Sequence, residues 1–185
     1  MALIQSFIPD YLSSQDAQVL SVWLRNSDRI HWVTEAFSIF GRSIDVPRQS
    51  AWFGDPGVVY RYTGIDHAGF GWPAELCAVR DNLCAMAGMN FNFVILNRYR
   101  SGTDYMGWHT DAEPGAEPQI ASLSVGAKRT FKIRQDADET VSYELGDGSL
   151  LMFDGRYRHQ LPRRASQNGE RINLTFRRIN PGMRH

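Results

Sequence analysis

The stretch RINLTFRR, Arg171 to Arg178, decides how this chain folds. Laid out as a β-strand, it splits into two unlike faces. Ile172, Leu174 and Phe176 fall on one side; Arg171, Asn173, Thr175 and Arg177 fall on the other. The apolar side belongs against a core. The polar side either faces water or lines a pocket that holds an anion, because paired buried arginines are costly without one.

Working outward, FNFVILNRYR, QIASLSV, RTFKIRQ, VSYEL and SLLMF share this strand composition, with turn residues such as Gly146-Asp147-Gly148 between them. Short strands at this spacing predict a sandwich or barrel. Before Phe91 the texture differs. Ser13 or Ser14 caps a helix predicted to carry Val19, Leu20, Trp23 and Leu24 on one side. The β-like run HWVTEAFSIFGR follows, then an aromatic-rich segment from Ser50 to Gly64. A second helix is predicted from Pro73 to Ala87, ending near Gly88. Helices first and strands afterwards predict an α+β fold around a β-sandwich.

The chain has 185 residues, 43% of them hydrophobic, enough for one domain with a sizeable core. A formal net charge of zero excludes a global field that would draw the molecule to nucleic acid or to an anionic membrane. The cations are lopsided: 18 are Arg and 2 are Lys, and eight Arg against a single acid follow from Arg156 onward. That end forms either a phosphate-binding face or a solvated basic edge. Cys77 and Cys84, seven apart in the second predicted helix, make neither a disulfide framework nor a zinc motif and are expected to be buried thiols. The sequence shows no signal peptide and no apolar run long enough to span a bilayer. The expected location is cytoplasmic, or nuclear in a eukaryotic source, with no membrane partner.

His109 lies in GWHTDAE, two residues before Asp111. Positions two apart on a strand share a face, so imidazole and carboxylate can converge on one metal. Taken alone, H-x-D reads as a surface turn. His159, in RYRHQLPRR, supplies a second imidazole; two His and one carboxylate make the facial triad of non-haem Fe(II), with open positions. A 2-oxoacid can chelate such a metal, and its far carboxylate then needs a cationic anchor. Arg171 and Arg177, flanked by Asn173 and Thr175, offer one. Asn97 and Tyr99 share a face of FNFVILNRYR and can complete the pocket.

Taken in order, N-x-Y, H-x-D, His and R-x-N-x-T-x-R resemble the AlkB family of Fe(II)- and 2-oxoglutarate-dependent dioxygenases, and within it the DNA-repair branch. The resemblance runs from about Pro47 to Ile179 and is strongest after Phe91. It implies a double-stranded β-helix (jelly-roll) core over 89–180, with N-terminal helices and a nucleotide-recognition lid over 1–88. It implies Fe(II) on His109, Asp111 and His159, with O2 as oxidant. It implies 2-oxoglutarate on Asn97, Tyr99, Arg171, Asn173, Thr175 and Arg177, with Arg171 at the distal carboxylate and Arg177 nearer the chelating end. In the lid, SIFGR matches a hydrophobic finger with Phe40 as wedge and Gly41 and Arg42 beside it. GVVYRYTG matches the base-binding strand: Tyr60 to hydrogen-bond the base, Arg61 beside it, and Tyr62 to stack opposite His109. Arg163, Arg164 and Arg178 are candidate phosphate contacts.

The implied reaction is oxidative demethylation of 1-methyladenine and 3-methylcytosine in alkylated DNA, by a monomer, with formaldehyde released. The alternatives are a dioxygenase of the same family acting on RNA, protein or a small molecule, and a non-catalytic nucleic-acid-binding module. The chain departs from the family at Ala112, where the repair branch carries an acid directly after H-x-D; here Glu113 follows one place later.

Overall fold

A computed structural model describes residues 5–39, 42–62, 64–135 and 139–180. The elements run β1 (Ser6–Ile8), α1 (Ser14–Asn26), β2 (Ala36–Ile39), β3 (Arg42–Asp45), β4 (Gln49–Gly54), β5 (Val59–Tyr62), β6 (Ile65–Ala68) and α2 (Ala74–Ala87). They continue through β7 (Phe93–Tyr99), β8 (Met106–His109), β9 (Gln119–Gly126) and β10 (Arg129–Arg134). Last come β11 (Thr140–Leu145), β12 (Leu150–Asp154), β13 (Arg158–Leu161) and β14 (Arg171–Arg177).

β14 is an inner strand of a six-stranded sheet ordered β1-β12-β9-β14-β7-β4. A four-stranded sheet, β11-β10-β13-β8, completes an antiparallel sandwich. The apolar face of β14 packs outward on the helices: Ile172, Leu174 and Phe176 share a core with Leu20 and Leu24 of α1 and Leu76 and Leu83 of α2. Each such side chain removed from water contributes about 1.5–3 kcal/mol. The polar face of β14 therefore turns into the sandwich. A second core, with Ile120, Ile133, Leu145, Leu151 and Phe153, fills one end between the sheets. The β5–β6 hairpin closes the other end through Tyr60, Tyr62, Phe93 and Ile95.

Both helices obey local rules. The Ser13 hydroxyl accepts from the Asp16 N–H at the start of α1. Gly88 ends α2 at φ 60°, a conformation that side chains resist. The face of α1 differs from expectation. Ala17, Leu20, Ser21 and Leu24 are buried, at spacings of 3, 1 and 3, whereas Val19 is 65% exposed because it points away from that stripe. The cysteines differ too. Leu76 and Leu83 take the buried face of α2, so Cys77 and Cys84, one residue on, are only half-buried at its edge.

The order of helices first and strands afterwards does not hold either. β1 and β4 from the N-terminal part are the two edges of the main sheet. Three residues of β1 carry too little periodicity to register as a strand, and the strand character of β4 is blurred because its two faces meet different layers. Among the described residues, no helix is long and apolar enough to cross a membrane.

Candidate active site

Two short strands that no sequence pattern flags bring the histidines together. β13 pairs with β8 so that His159 faces His109 directly across the ladder. Asp111 follows two residues past the end of β8, where its N–H donates to the Gly155 carbonyl (2.8 Å). Ligating atoms of His109, Asp111 and His159 all lie within 4.8 Å of one another, the one such group of three among the described residues.

Each imidazole is oriented from behind. Nδ1 of His109 lies 2.8 Å from the Gly107 carbonyl, and Nδ1 of His159 lies 2.8 Å from the Tyr157 carbonyl. A carbonyl only accepts, so each Nδ1 carries a proton, and each Nε2 faces Asp111, at 3.5 and 3.8 Å respectively. Burial among Phe131 and Phe153 pushes His159 down to about 4, which leaves it neutral near pH 7, as a ligand must be. Burial alone would raise the Asp111 carboxyl. Arg177, then His159 and His109, outweigh it and hold the group below the usual range.

The floor of the pocket is the polar face of β14 and its neighbours. In register, Arg171 lies opposite Tyr99, and Asn173 lies opposite Asn97 on one side and Ser124 on the other. Asn97, Tyr99, Arg171, Asn173, Thr175 and Arg177 all line the cavity that also contains His109, Asp111 and His159. Asn173 donates to the Ser122 hydroxyl (2.8 Å), and Thr175 donates to the Asn173 amide oxygen (2.8 Å).

Four arginines are almost fully buried, and their partners differ in kind. Arg129 donates to the carbonyls of Ser101, Asp104 and Pro162. Arg48 donates to Asn97 Oδ1 (2.8 Å) and to the Tyr62 hydroxyl (2.5 Å). Arg177 is paired with Asp111. Arg171 meets no carboxylate: Nη2 donates to the Ser124 hydroxyl (2.9 Å), the head lies 5.5 Å from the Tyr99 ring centre, and Nε has no partner. Burial pushes its guanidinium down to about 10. A buried cation with unspent donors facing a cavity can accept a carboxylate.

The mouth is aromatic. Tyr60 and Tyr62 lie on the inward phase of β5, stacked 5.9 Å apart, and both line the cavity with His109. The Tyr60 hydroxyl donates to Glu113 Oε2 (2.8 Å). Burial, and next the neighbouring Asp111, raise the Glu113 carboxyl. Behind this hairpin, buried His67 meets Glu35 (2.8 Å) and lies edge-on to Trp52.

The remaining expected positions fall elsewhere. Arg61 is on the outward phase of β5, exposed and 3.7 Å from Asp66, so it does not join the cavity. Phe40 and Gly41 lie outside the described residues; Arg42 is a backbone partner of Ile39 in the β2–β3 hairpin. Arg163 and Arg164 are exposed, whereas Arg178 is half-buried and donates to the Asn90 carbonyl (3.3 Å).

Sequence reasoning missed four contributors. Ser122 and Ser124 were legible as the small polar phase of QIASLSV, opposite Ala121, Leu123 and Val125. Arg48 carried no local signal. Gly155 carried none either, yet a Cβ there would sit 2.7 Å from Ile120 Cδ1 and 3.0 Å from the Asp111 carbonyl.

An antiparallel sandwich with two imidazoles and a carboxylate inside it, above a buried unpaired guanidinium, defines the class of non-haem metal enzymes that bind a 2-oxoacid. The profile described as 2OG-Fe(II) oxygenase superfamily matches residues 5–177. The chain belongs to that superfamily and, within it, to the AlkB family. Its donors fit Fe(II) and 2-oxoglutarate: two imidazoles with one carboxylate, and a buried Arg171 that meets no carboxylate among the described residues.

Relatives include the DNA oxidative demethylase ALKBH2 of Mus musculus, 39% identical over 77% of this chain and 66% of that protein. The human ALKBH2 is 36% identical over 76% and 60%. Human alkB homolog 3, an alpha-ketoglutarate-dependent dioxygenase, is 34% identical over 75% and 54%. The chain thus spans less than two thirds of these relatives' length. Among solved structures, OsALKBH1 superposes with a TM-score of 0.64 at 15% identity, covering 96% of this chain and 99% of that one. An oxidoreductase of the 2OG-Fe(II) oxygenase family from Burkholderia pseudomallei gives 0.66 at 13%, covering 98% and 89%. Both share the fold.

Proposed function

We propose that the protein oxidatively demethylates N-alkylated bases, 1-methyladenine and 3-methylcytosine, in DNA. His109, Asp111 and His159 hold Fe(II). Arg171 takes the distal carboxylate of 2-oxoglutarate, with Asn97, Tyr99, Asn173 and Thr175 shaping the site and Arg177 near the chelating end. The observation that carries this reading is the unpaired Arg171 head in the same cavity as the His-Asp-His group.

Tyr60 and Tyr62 receive the base, with His109 on its other face. Stacking of this kind is worth about 1–3 kcal/mol per base. Glu113, held by the Tyr60 hydroxyl, puts a carboxylate where a cationic methylated base is favoured. It serves in place of the acid that Ala112 lacks. A base methylated on its pairing edge is cheaper to extrude from a duplex, which selects the lesion before any contact is made. The buried Phe153 and Leu161, with half-buried Phe131, keep water from the reacting carbon. Fe(II), 2-oxoglutarate and O2 supply the oxygen that hydroxylates the N-methyl carbon, with succinate and CO2 formed and formaldehyde lost from the restored base.

The test is formaldehyde release from matched methylated single- and double-stranded DNA, with and without 2-oxoglutarate. Turnover that requires both the lesion and 2-oxoglutarate is expected. Equal 2-oxoglutarate consumption without nucleic acid, and no formaldehyde with it, would remove DNA as substrate.

A further inference from the structure

The outer edge of β4 is closed at both ends and open in the middle. Ser50 exchanges both main-chain hydrogen bonds with Val33 (2.9 and 2.8 Å), and the Gly54 carbonyl accepts from Gly71 (2.8 Å). In an antiparallel strand outward-facing groups recur at every second residue. Trp52, between the two, therefore turns its N–H and C=O outward, and among the described residues no main-chain partner meets them there.

A groove of about 550 Å³ lies over this gap, within the size range of ligand sites. Trp52, Phe70 and Trp72 give it aromatic walls, and Arg29 and His31 stand at its rim. Phe70 is 87% exposed on a loop between Gly69 and Gly71. The described lining carries no carboxylate; Asp55, next to Gly54, is engaged by the Trp72 indole (2.6 Å) and lies 4.0 Å from Arg80.

The groove and the metal cavity are two sides of one wall. The Trp52 ring lies edge-on to His67 at 4.5 Å, and His67 lies 6.1 Å from Tyr62, which lines the cavity.

We propose that this groove is a second nucleic-acid site that holds an unpaired base flanking the one in the metal cavity. The inference rests on the nucleic-acid reading above. Phe70 offers a stacking face that any base accepts, and Trp72, held by Phe176 and Arg80, gives the groove a rigid wall. The Trp52 N–H and C=O offer one donor and one acceptor to a base edge. Arg29, with His31, meets the phosphate. Stacking plus cationic rim plus a donor–acceptor pair suits a single strand better than an apolar protein surface.

The experiment uses the full chain and the double variant Phe70→Ser, Arg29→Ser, which keeps its melting temperature because both side chains are exposed. Substrates are a methylated mononucleotide, which has no flanking base, and a methylated single strand of about 15 nucleotides, near the upper site size of such grooves. Expected are a KM about tenfold higher on the long strand with unchanged kcat, and no change on the mononucleotide. Fluorescence anisotropy with an unmodified labelled strand shows the same loss without requiring chemistry. If no substrate turns over but binding depends on Phe70, the groove stands and the demethylase reading falls. Unchanged anisotropy, or an equal KM rise on both substrates, overturns the groove. So does a dimer in sedimentation that the double variant dissolves, since a second copy would then be the occupant.

Discussion

Arg177 grips Asp111 at two points: Nη1 lies 3.0 Å from the carboxylate Oδ2, and Nη2 donates to the Asp111 main-chain carbonyl (2.9 Å). The last strand of the main sheet thereby fixes a ligand that follows a short strand of the other sheet. Arg177→Met leaves the carboxylate buried without its cation. The expected result is a loss of about 3–5 kcal/mol in stability and of about 10–100-fold in affinity for Mn(II) as a stand-in for Fe(II). Denaturant unfolding and metal titration check both.

Arg171 behaves oppositely. It has no carboxylate to abandon, so Arg171→Ala is expected to leave the melting temperature unchanged or raised. The same variant weakens 2-oxoglutarate binding about 30-fold or more, the effect of losing one partner of a buried charge pair. Calorimetric titration of the Mn(II)-loaded protein measures it. Unchanged affinity in the folded variant would contradict the role.

Gly155→Ala drives a methyl group against Ile120 and the Asp111 backbone. Overpacking of this kind costs about 1–3 kcal/mol. Because the push falls on Asp111, metal affinity is expected to drop more than global stability does. Equal melting temperature and equal Mn(II) affinity would show that the backbone yields freely.

Glu170 joins three elements: its carboxylate accepts from Arg25 of α1 (2.6 Å) and from Arg98 of β7, immediately before β14. Burial would raise the Glu170 carboxyl, but the Arg25 and Arg98 hydrogen bonds hold it below its ordinary value. The stability it confers is therefore full above the unfolded carboxylate value of about 4.3 and is lost as pH falls through the depressed folded value. Glu170→Gln is expected to cost about 1–3 kcal/mol at pH 7. The gap between variant and parent should close as pH falls toward the folded value, in urea titrations run at stepped pH.

Much of this was legible before folding. The two faces of RINLTFRR, the Ser13 cap and the Gly88 stop are local patterns, written within a few residues by side-chain alternation and backbone allowance. The alternating serines of QIASLSV were equally available. β8 and β13 were not, because strands of four residues, MGWH and RHQL, are too short to show a period, and they are the strands that set His109 against His159. Arg48 and Gly155 gave no sign because their partners, Asn97, Tyr62 and Asp111, are distant in sequence.

By itself the sequence determined that one side of the last strand is apolar and the other cationic, since alternation along an extended chain is a property of the backbone alone. Which side meets water was decided only by tertiary structure. Helices cover the apolar face of the main sheet and a second sheet covers its polar face, so both sides are buried, and Arg171 is left inside with an Nε that nothing among the described residues accepts.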